Sequence, residues 1–191
     1  MPYTIMDGSG KAYSAKVDSE NRLHTKAITV TELTAATEDA LTFVGASGFI
    51  TLNDTAAFSG VYYLKNNTED KDFHIDTIRT CNDGFTYWET FTTPSGGTLL
   101  SSGTAVPLTN GSIGSTVNPS SISLSGADTL TVTGGTSLGT HMQGAGHSVQ
   151  EFKGGVDVTP GQSLAIVAKP ANAGTIVCLQ LVGFAKPTGV V

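Results

Sequence analysis

Charge is what this sequence has least of. Charged side chains make up 14% of its 191 residues, against about 25% in an average soluble domain. Ten Lys and Arg face sixteen Asp and Glu, for a net charge of −6. That balance leaves no electrostatic footprint for nucleic acid. No apolar run approaches the ~18 residues of a membrane-spanning helix, so no membrane partner is expected. The opening Met-Pro-Tyr-Thr-Ile-Met-Asp-Gly-Ser-Gly lacks a basic region followed by an apolar core. It therefore does not read as a signal peptide, and synthesis in a cytoplasm is the expectation. There are two cysteines, Cys81 and Cys178, each inside a strand-like run. They are expected as reduced thiols packed like small hydrophobes, while a disulfide between them stays open.

Motifs of chemistry are also missing. There is no serine elbow, no metalloprotease helix motif and no redox cysteine pair. Gly134-Gly135 and Gly144-Ala-Gly146 do not follow the strand-to-helix grammar of a phosphate loop. His141 and His147 form the only close histidine pair, with no nearby Asp, Glu or Cys to complete a metal site; they are expected as polar loop residues. Asp76, Asp83 and Glu89 show no spacing that marks two of them as an acid/base pair. The expectation is no enzyme, no cofactor and no metal. Asn53, Asn66 and Asn110 open glycosylation sequons that need a secretory route to matter.

What is present is the raw material of β structure. Glycine numbers 23, and threonine and serine run throughout; both disfavour helix, and threonine suits a pleated surface. A chain of this length buries roughly 70% of its unfolded surface, enough to hold without a metal or disulfide. The clearest stretch is 156–184. Thr159-Pro160-Gly161-Gln162 has the type II turn pattern, with Pro presetting φ and Gly accepting a positive one. Leu164, Ile166 and Ala168 then share one face of a strand that Pro170 ends. The last strand is apolar on both faces, with Val177, Leu179 and Leu181 against Ile176, Cys178, Val182 and Phe184, as in a central or doubly buried strand.

Earlier in the chain, residues 1–27 are polar and charged. Read as extended chain, Lys16, Asp18, Glu20, Arg22, His24 and Lys26 share one face. They form either a charged arm toward a partner or sister subunit, a hairpin turning at 18–21, or a loose terminus. The β domain spans 28–191, with a short helix over 34–41. Strands follow at 41–44 and 49–52, split by Gly45 to Gly48, and at 60–66. Runs 73–81 and 85–91 flank Asn82-Asp-Gly84 and are predicted to pair as a hairpin. From 90 to 150 the one charged side chain is Asp128, among short strand-like pieces at 98–101, 121–124 and 129–133. Regular short strands between turn signals predict an all-β, jelly-roll-like antiparallel sandwich with an extended N-terminal arm.

Two segments carry a resemblance. Gly-Ser-Gly-Lys-Ala-Tyr-Ser-Ala-Lys-Val-Asp-Ser-Glu-Asn-Arg-Leu-His-Thr-Lys-Ala resembles the opening of small virion proteins of tailed bacteriophages. Glu151-Phe-Lys-Gly-Gly-Val-Asp-Val-Thr-Pro-Gly-Gln-Ser-Leu-Ala-Ile resembles the final third of their β-sandwich domains. The family implied is the capsid decoration, or cement, proteins: jelly-roll homotrimers on the shell that clamp neighbouring major capsid proteins. The resemblance implies a virion location, shell or subunit contacts for the charged arm, and no catalytic residues. The alternative is a phage tail or fibre component that binds host-surface glycans. It would use Tyr87, Trp88 and Glu89, since aromatic faces and a carboxylate hold a sugar ring.

Overall fold

A computed structural model describes residues 4–6, 12–14, 42–111 and 121–188. The expected charged arm at 16–26 and the expected helix at 34–41 lie outside the described residues. The chain divides into two units, residues 1–31 and 32–191. In the first, β1 (Thr4–Met6) pairs antiparallel with β2 (Ala12–Ser14).

Among its described residues the second unit is all-β apart from one short helix. Its strands are β3 (Thr42–Leu52), β4 (Ser59–Asn66), β5 (Lys71–Asn82), β6 (Thr86–Thr92), β7 (Thr104–Ala105), β8 (Leu108–Asn110), β9 (Ser121–Ser125), β10 (Thr136–Gln143), β11 (Gly146–Val158), β12 (Ser163–Pro170) and β13 (Thr175–Pro187); helix α1 is Thr98–Ser102. They form two antiparallel sheets, ordered β10-β6-β12-β4-β9-β7 and β11-β5-β13-β3-β8. The eight long strands pair as β3 with β13, β4 with β12, β5 with β11 and β6 with β10. Successive pairs fall in alternate sheets, as though one long hairpin had been rolled up. That is the jelly-roll-like sandwich the spacing of strands and turns predicts.

The inner faces supply the core. Phe43, Leu52, Phe73, Ile75, Leu179 and Leu181 from one sheet meet Tyr62, Leu64, Trp88, Leu164 and Ile166 from the other, all 0–2% exposed. Inside it the Tyr62 hydroxyl is hydrogen-bonded to the Ser123 hydroxyl, and burial pushes its pKa up to about 12 against that bond. The turn at 159–162 forms as predicted: Gly161 has φ +80° and the Gln162 N–H donates to the Thr159 carbonyl at 2.9 Å.

The span between β6 and β10, with Asp128 as its one charge, edges both sheets and covers part of one. Between β6 and β10 the chain crosses to the far side of both sheets, where β8 extends the β3 edge and β9 the β4 edge. Covering an edge removes a row of unpaired backbone groups. On the way, Leu99 and Leu100 of α1, with Leu124, Leu130 and Val132, cover Tyr63 and Ala165 on the outer face of the six-stranded sheet, making a second small core. Leu99 lies so close to Gly60 that a Cβ there would stand 2.7 Å from its Cδ2. Asp128, the span's lone charge, is the tether: its carboxylate accepts from the Asn53 N–H and side-chain amide, both at 3.1 Å, and from the Asp54 N–H at 3.3 Å.

Several local expectations are corrected. Runs 73–81 and 85–91 are strands, but they do not pair; β5 and β6 lie in opposite sheets. The Asn82-Asp83-Gly84 turn is an arch over the sandwich end, held by Asn82 donating to the Gly84 and Gly144 carbonyls and by Asp83 accepting from the Ile176 N–H at 2.8 Å. Residues 98–101 are helical rather than extended. Residues 129–133 form no strand beyond one bridge from Thr133 to Gly96. The two runs at 41–44 and 49–52 are one strand carrying a bulge.

The cysteines are corrected as well. Cys81 and Cys178 face each other across β5 and β13, and they form a disulfide rather than two reduced thiols. The expectation failed because Cα atoms 97 residues apart in sequence stand 5.1 Å apart in space, which no local pattern reveals. Since a cross-link acts mainly on the unfolded chain, a loop of that length contributes about 4.7 kcal/mol on the chain-entropy estimate. The double variant Cys81→Ala/Cys178→Ala is expected to show a lower urea midpoint. It should also show a larger m, because the uncross-linked denatured chain exposes more surface.

Candidate functional site

The outer face of the six-stranded sheet holds two of the three residues expected to bind sugar. Along β6, Trp88 points inward and is 1% exposed within the core. Tyr87 and Glu89 point to the other face, as period-two alternation requires. The structure therefore does not bring the three onto one platform. Trp88 stacks instead on His141, ring centres 6.4 Å apart and planes 8° apart; burial depresses the His141 pKa. Tyr87 joins Phe85, with ring centres 5.4 Å apart. The Lys169 ammonium lies over the Tyr87 and Phe58 rings, 5.2 and 5.3 Å from their centres. Both ring faces are thus engaged by the chain's own cation.

The histidines expected in a loop lie on strands. His141 is on β10 and His147 on β11, in different sheets. Among the described residues, no three His, Cys, Asp or Glu side chains gather as metal ligands do. Asn66, which opens a sequon, is fully buried, and its amide donates to the Lys71 and Val158 carbonyls at 2.7 and 2.8 Å. That amide is a structural pin.

The outer face of the five-stranded sheet is different in kind. One cross-strand row runs Phe49 (β3), Cys178 (β13), Cys81 (β5), His147 (β11). Phe49 is 83% exposed. Ile176 and Val149, on the same face, are 41% and 49% exposed. Two shallow clefts flank the row. One, about 310 Å³, is lined by Ala46, Phe49, Val149, the disulfide and Arg79. The other, about 390 Å³, lies toward Ile176, Asp83 and Gly146. The Arg79 guanidinium donates to the Gln180 side-chain carbonyl at 3.3 Å. This face combines apolar side chains, a cleft and a thin polar rim, which is the anatomy of a protein-docking surface.

Phe49 is a residue that strand reading alone did not single out. The signal was there: an isolated glycine inside a strand pattern marks a bulge, and Gly48 precedes Phe49 directly.

At the far end of the same face, His74 donates from Nδ1 to the Asp157 carboxylate at 2.7 Å, and Lys186 reaches its other oxygen at 3.0 Å. His74 also packs on Phe184, ring centres 4.7 Å apart. The cluster clasps β11 where its register with β5 shifts between Glu151 and Val156. Compared with known proteins, the chain matches no protein family, no curated sequence and no solved structure.

Two predictions follow from these placements. Trp88→Ala is expected to cost about 3–5 kcal/mol, the range for an aromatic removed from a core, while Tyr87→Ala on the outer face costs far less; urea unfolding of both variants checks this. The second concerns acid. Burial raises the Asp157 and Asp128 pKa values, but hydrogen bonds outweigh it and hold both carboxyls below the ordinary carboxylate value. The donors are His74 and Lys186 for Asp157, whose charges add to the effect, and chiefly Asn53 for Asp128. A carboxyl depressed in the folded state stabilises above its unfolded pKa and loses that contribution as pH falls through the folded one. The melting temperature is therefore expected to drop below about pH 4, and less steeply in Asp128→Asn/Asp157→Asn. Both groups are partly exposed, so each contributes at most about 1 kcal/mol.

Proposed function

We propose that this chain is a structural virion protein that binds the outside of a phage capsid and stabilises contacts between major capsid protein subunits. The observation that carries it is the outward face around Phe49: a phenyl ring 83% exposed beside apolar neighbours is surface suited to being covered by protein. The jelly-roll-like winding and the resemblance of the opening and closing segments to phage decoration proteins support the same reading. In it the protein acts as an oligomer. Its copies meet through apolar surface, and the charged residues at 16–26 engage the shell. Each shell contact is weak by itself, and several copies held together multiply it. Charge in that contact makes release from the shell sensitive to salt.

Electron microscopy of purified particles labelled with gold-conjugated antibody tests the proposal. Label spread over the head is expected. Label confined to the tail, or none on intact particles from a lysate that contains the protein, would overturn it.

A further inference from the structure

The exposure of Phe49 is produced by a dedicated piece of backbone. Phe43, Gly45 and Ser47 of β3 all face inward and are buried. Simple alternation would continue with Phe49 inward and Ile50 outward. Instead the register slips: Gln180 stands opposite Ala46 and Leu179 opposite Gly48, leaving Ser47 as an extra residue. From there Ile50 and Leu52 face the core, and Phe49 faces out.

The slip is stabilised residue by residue. Gly48 takes φ +72°, where a side chain would be strained. The Ser47 hydroxyl accepts from the Leu179 N–H at 2.9 Å, replacing the ladder bond that the bulge removes, and donates to the Gly48 carbonyl at 2.8 Å. The Ser125 hydroxyl donates to the Ser47 carbonyl at 2.5 Å. Bulges of this kind re-aim a side chain. Here the side chain re-aimed is a large hydrophobe, turned from a core position to solvent.

We propose that the Phe49 face is a self-association interface, in which two copies of this chain pair about a twofold axis and each inserts Phe49 into the other's cleft. The knob and the hole are neighbours on one face, since Phe49 itself forms a wall of the 310 Å³ cleft. An isologous contact requires one patch that is its own complement, and adjacent knob and hole meet that requirement. The cleft is large enough, because a benzene ring occupies a cavity of about 150 Å³. Charge agrees with a second copy as occupant. The chain carries −6 overall, yet this face is apolar with one cation, Arg79, and one anion, Asp83, on its two clefts. Each copy therefore brings no net side-chain charge from Arg79 and Asp83 to the contact. The pairing does not depend on a particle.

Sedimentation equilibrium of the purified full chain tests it. One copy is 19.6 kDa, so a species of twice that mass is expected. Phe49→Asp removes the knob and Val149→Glu blocks the hole; each alone is expected to weaken self-association at least 100-fold. Both positions are solvent-exposed, and unchanged thermal unfolding of a monomeric species shows that the variants fold. A wild-type chain that stays monomeric, or an oligomer of any size that persists in Phe49→Asp, would overturn the proposal; so would a trimer dispersed by that change, since it denies the twofold. Dimerisation through Phe49 by a protein that gold labelling fails to find on particles would leave this interface standing and sink the virion role. Label over the head by a chain whose self-association survives Phe49→Asp would do the reverse.

Discussion

Strand β13 hydrogen-bonds to β3 on one side and to β5 on the other along nearly its whole length. The two neighbours do not pair with each other, so the five-stranded sheet is complete only once the last thirteen residues of β structure are in place. The inward side of β13 must then be apolar to meet the opposite sheet, and Val177, Leu179 and Leu181 are 0–2% exposed there. The disulfide joins the same strand to β5 at a directly opposed pair. Long-range pairing of this sort costs loop-closure entropy before it returns contacts. A covalent link across it reduces that cost in the denatured chain.

The two sheets treat their outer faces differently. The six-stranded sheet is covered over β4 and β12 by α1 and the residues that follow it, so β4 is buried on both sides, while Met142 of β10 on the same outer face stays exposed. This accounts for the lack of charge in the residues that cover the sheet, though not in β10, which is exposed along most of its length. A segment that lies across one sheet and edges both has hydroxyls committed to backbone and to one another, as Thr98 with Thr131 and Ser125 with Ser47 show. One carboxylate is enough to pin it, and a charge facing the sheet would be buried at a cost. The five-stranded sheet has no such cover among the described residues. Its outer face therefore keeps apolar side chains in water.

How much of this was legible in the sequence depends on the range of the interaction. The turn at 159–162, the stop at Pro170 and the alternation of Phe73 and Ile75 against His74 and Asp76 are local, and they read correctly. Asn82-Asp-Gly84 was also read as a turn, but a turn does not say whether its strands pair or cross between sheets. That choice belongs to β11 and β12, more than sixty residues later, which take the places a hairpin would have filled. The cysteine pairing was hidden for the same reason. Tyr87, Trp88 and Glu89 are a different case. Adjacent residues on a strand cannot share a face, so a three-residue platform was already in conflict with the strand assigned to 85–91. The residues at 16–26 fall outside the described structure, and their role rests on the resemblance.

Phe49 shows where sequence patterning and function part company. A hydrophobe at the next inward position of a half-buried strand would normally join the core, with a gain of roughly 1.5–3 kcal/mol. This chain instead places Ser47, Gly48 and a hydroxyl from β9 so that Ile50 takes the core position and the phenyl ring leaves it. Had the bulge served only to twist or end the strand, a small polar residue would suit position 49, and water would be its natural neighbour. A phenylalanine there recovers its hydrophobic contribution only when something apolar covers it. The cleft beside it, with the disulfide at its floor, has the same incomplete character. Both deficits lie on one face, one a projecting ring and the other a cleft with volume enough to take it, so a single contact with a second copy satisfies them together.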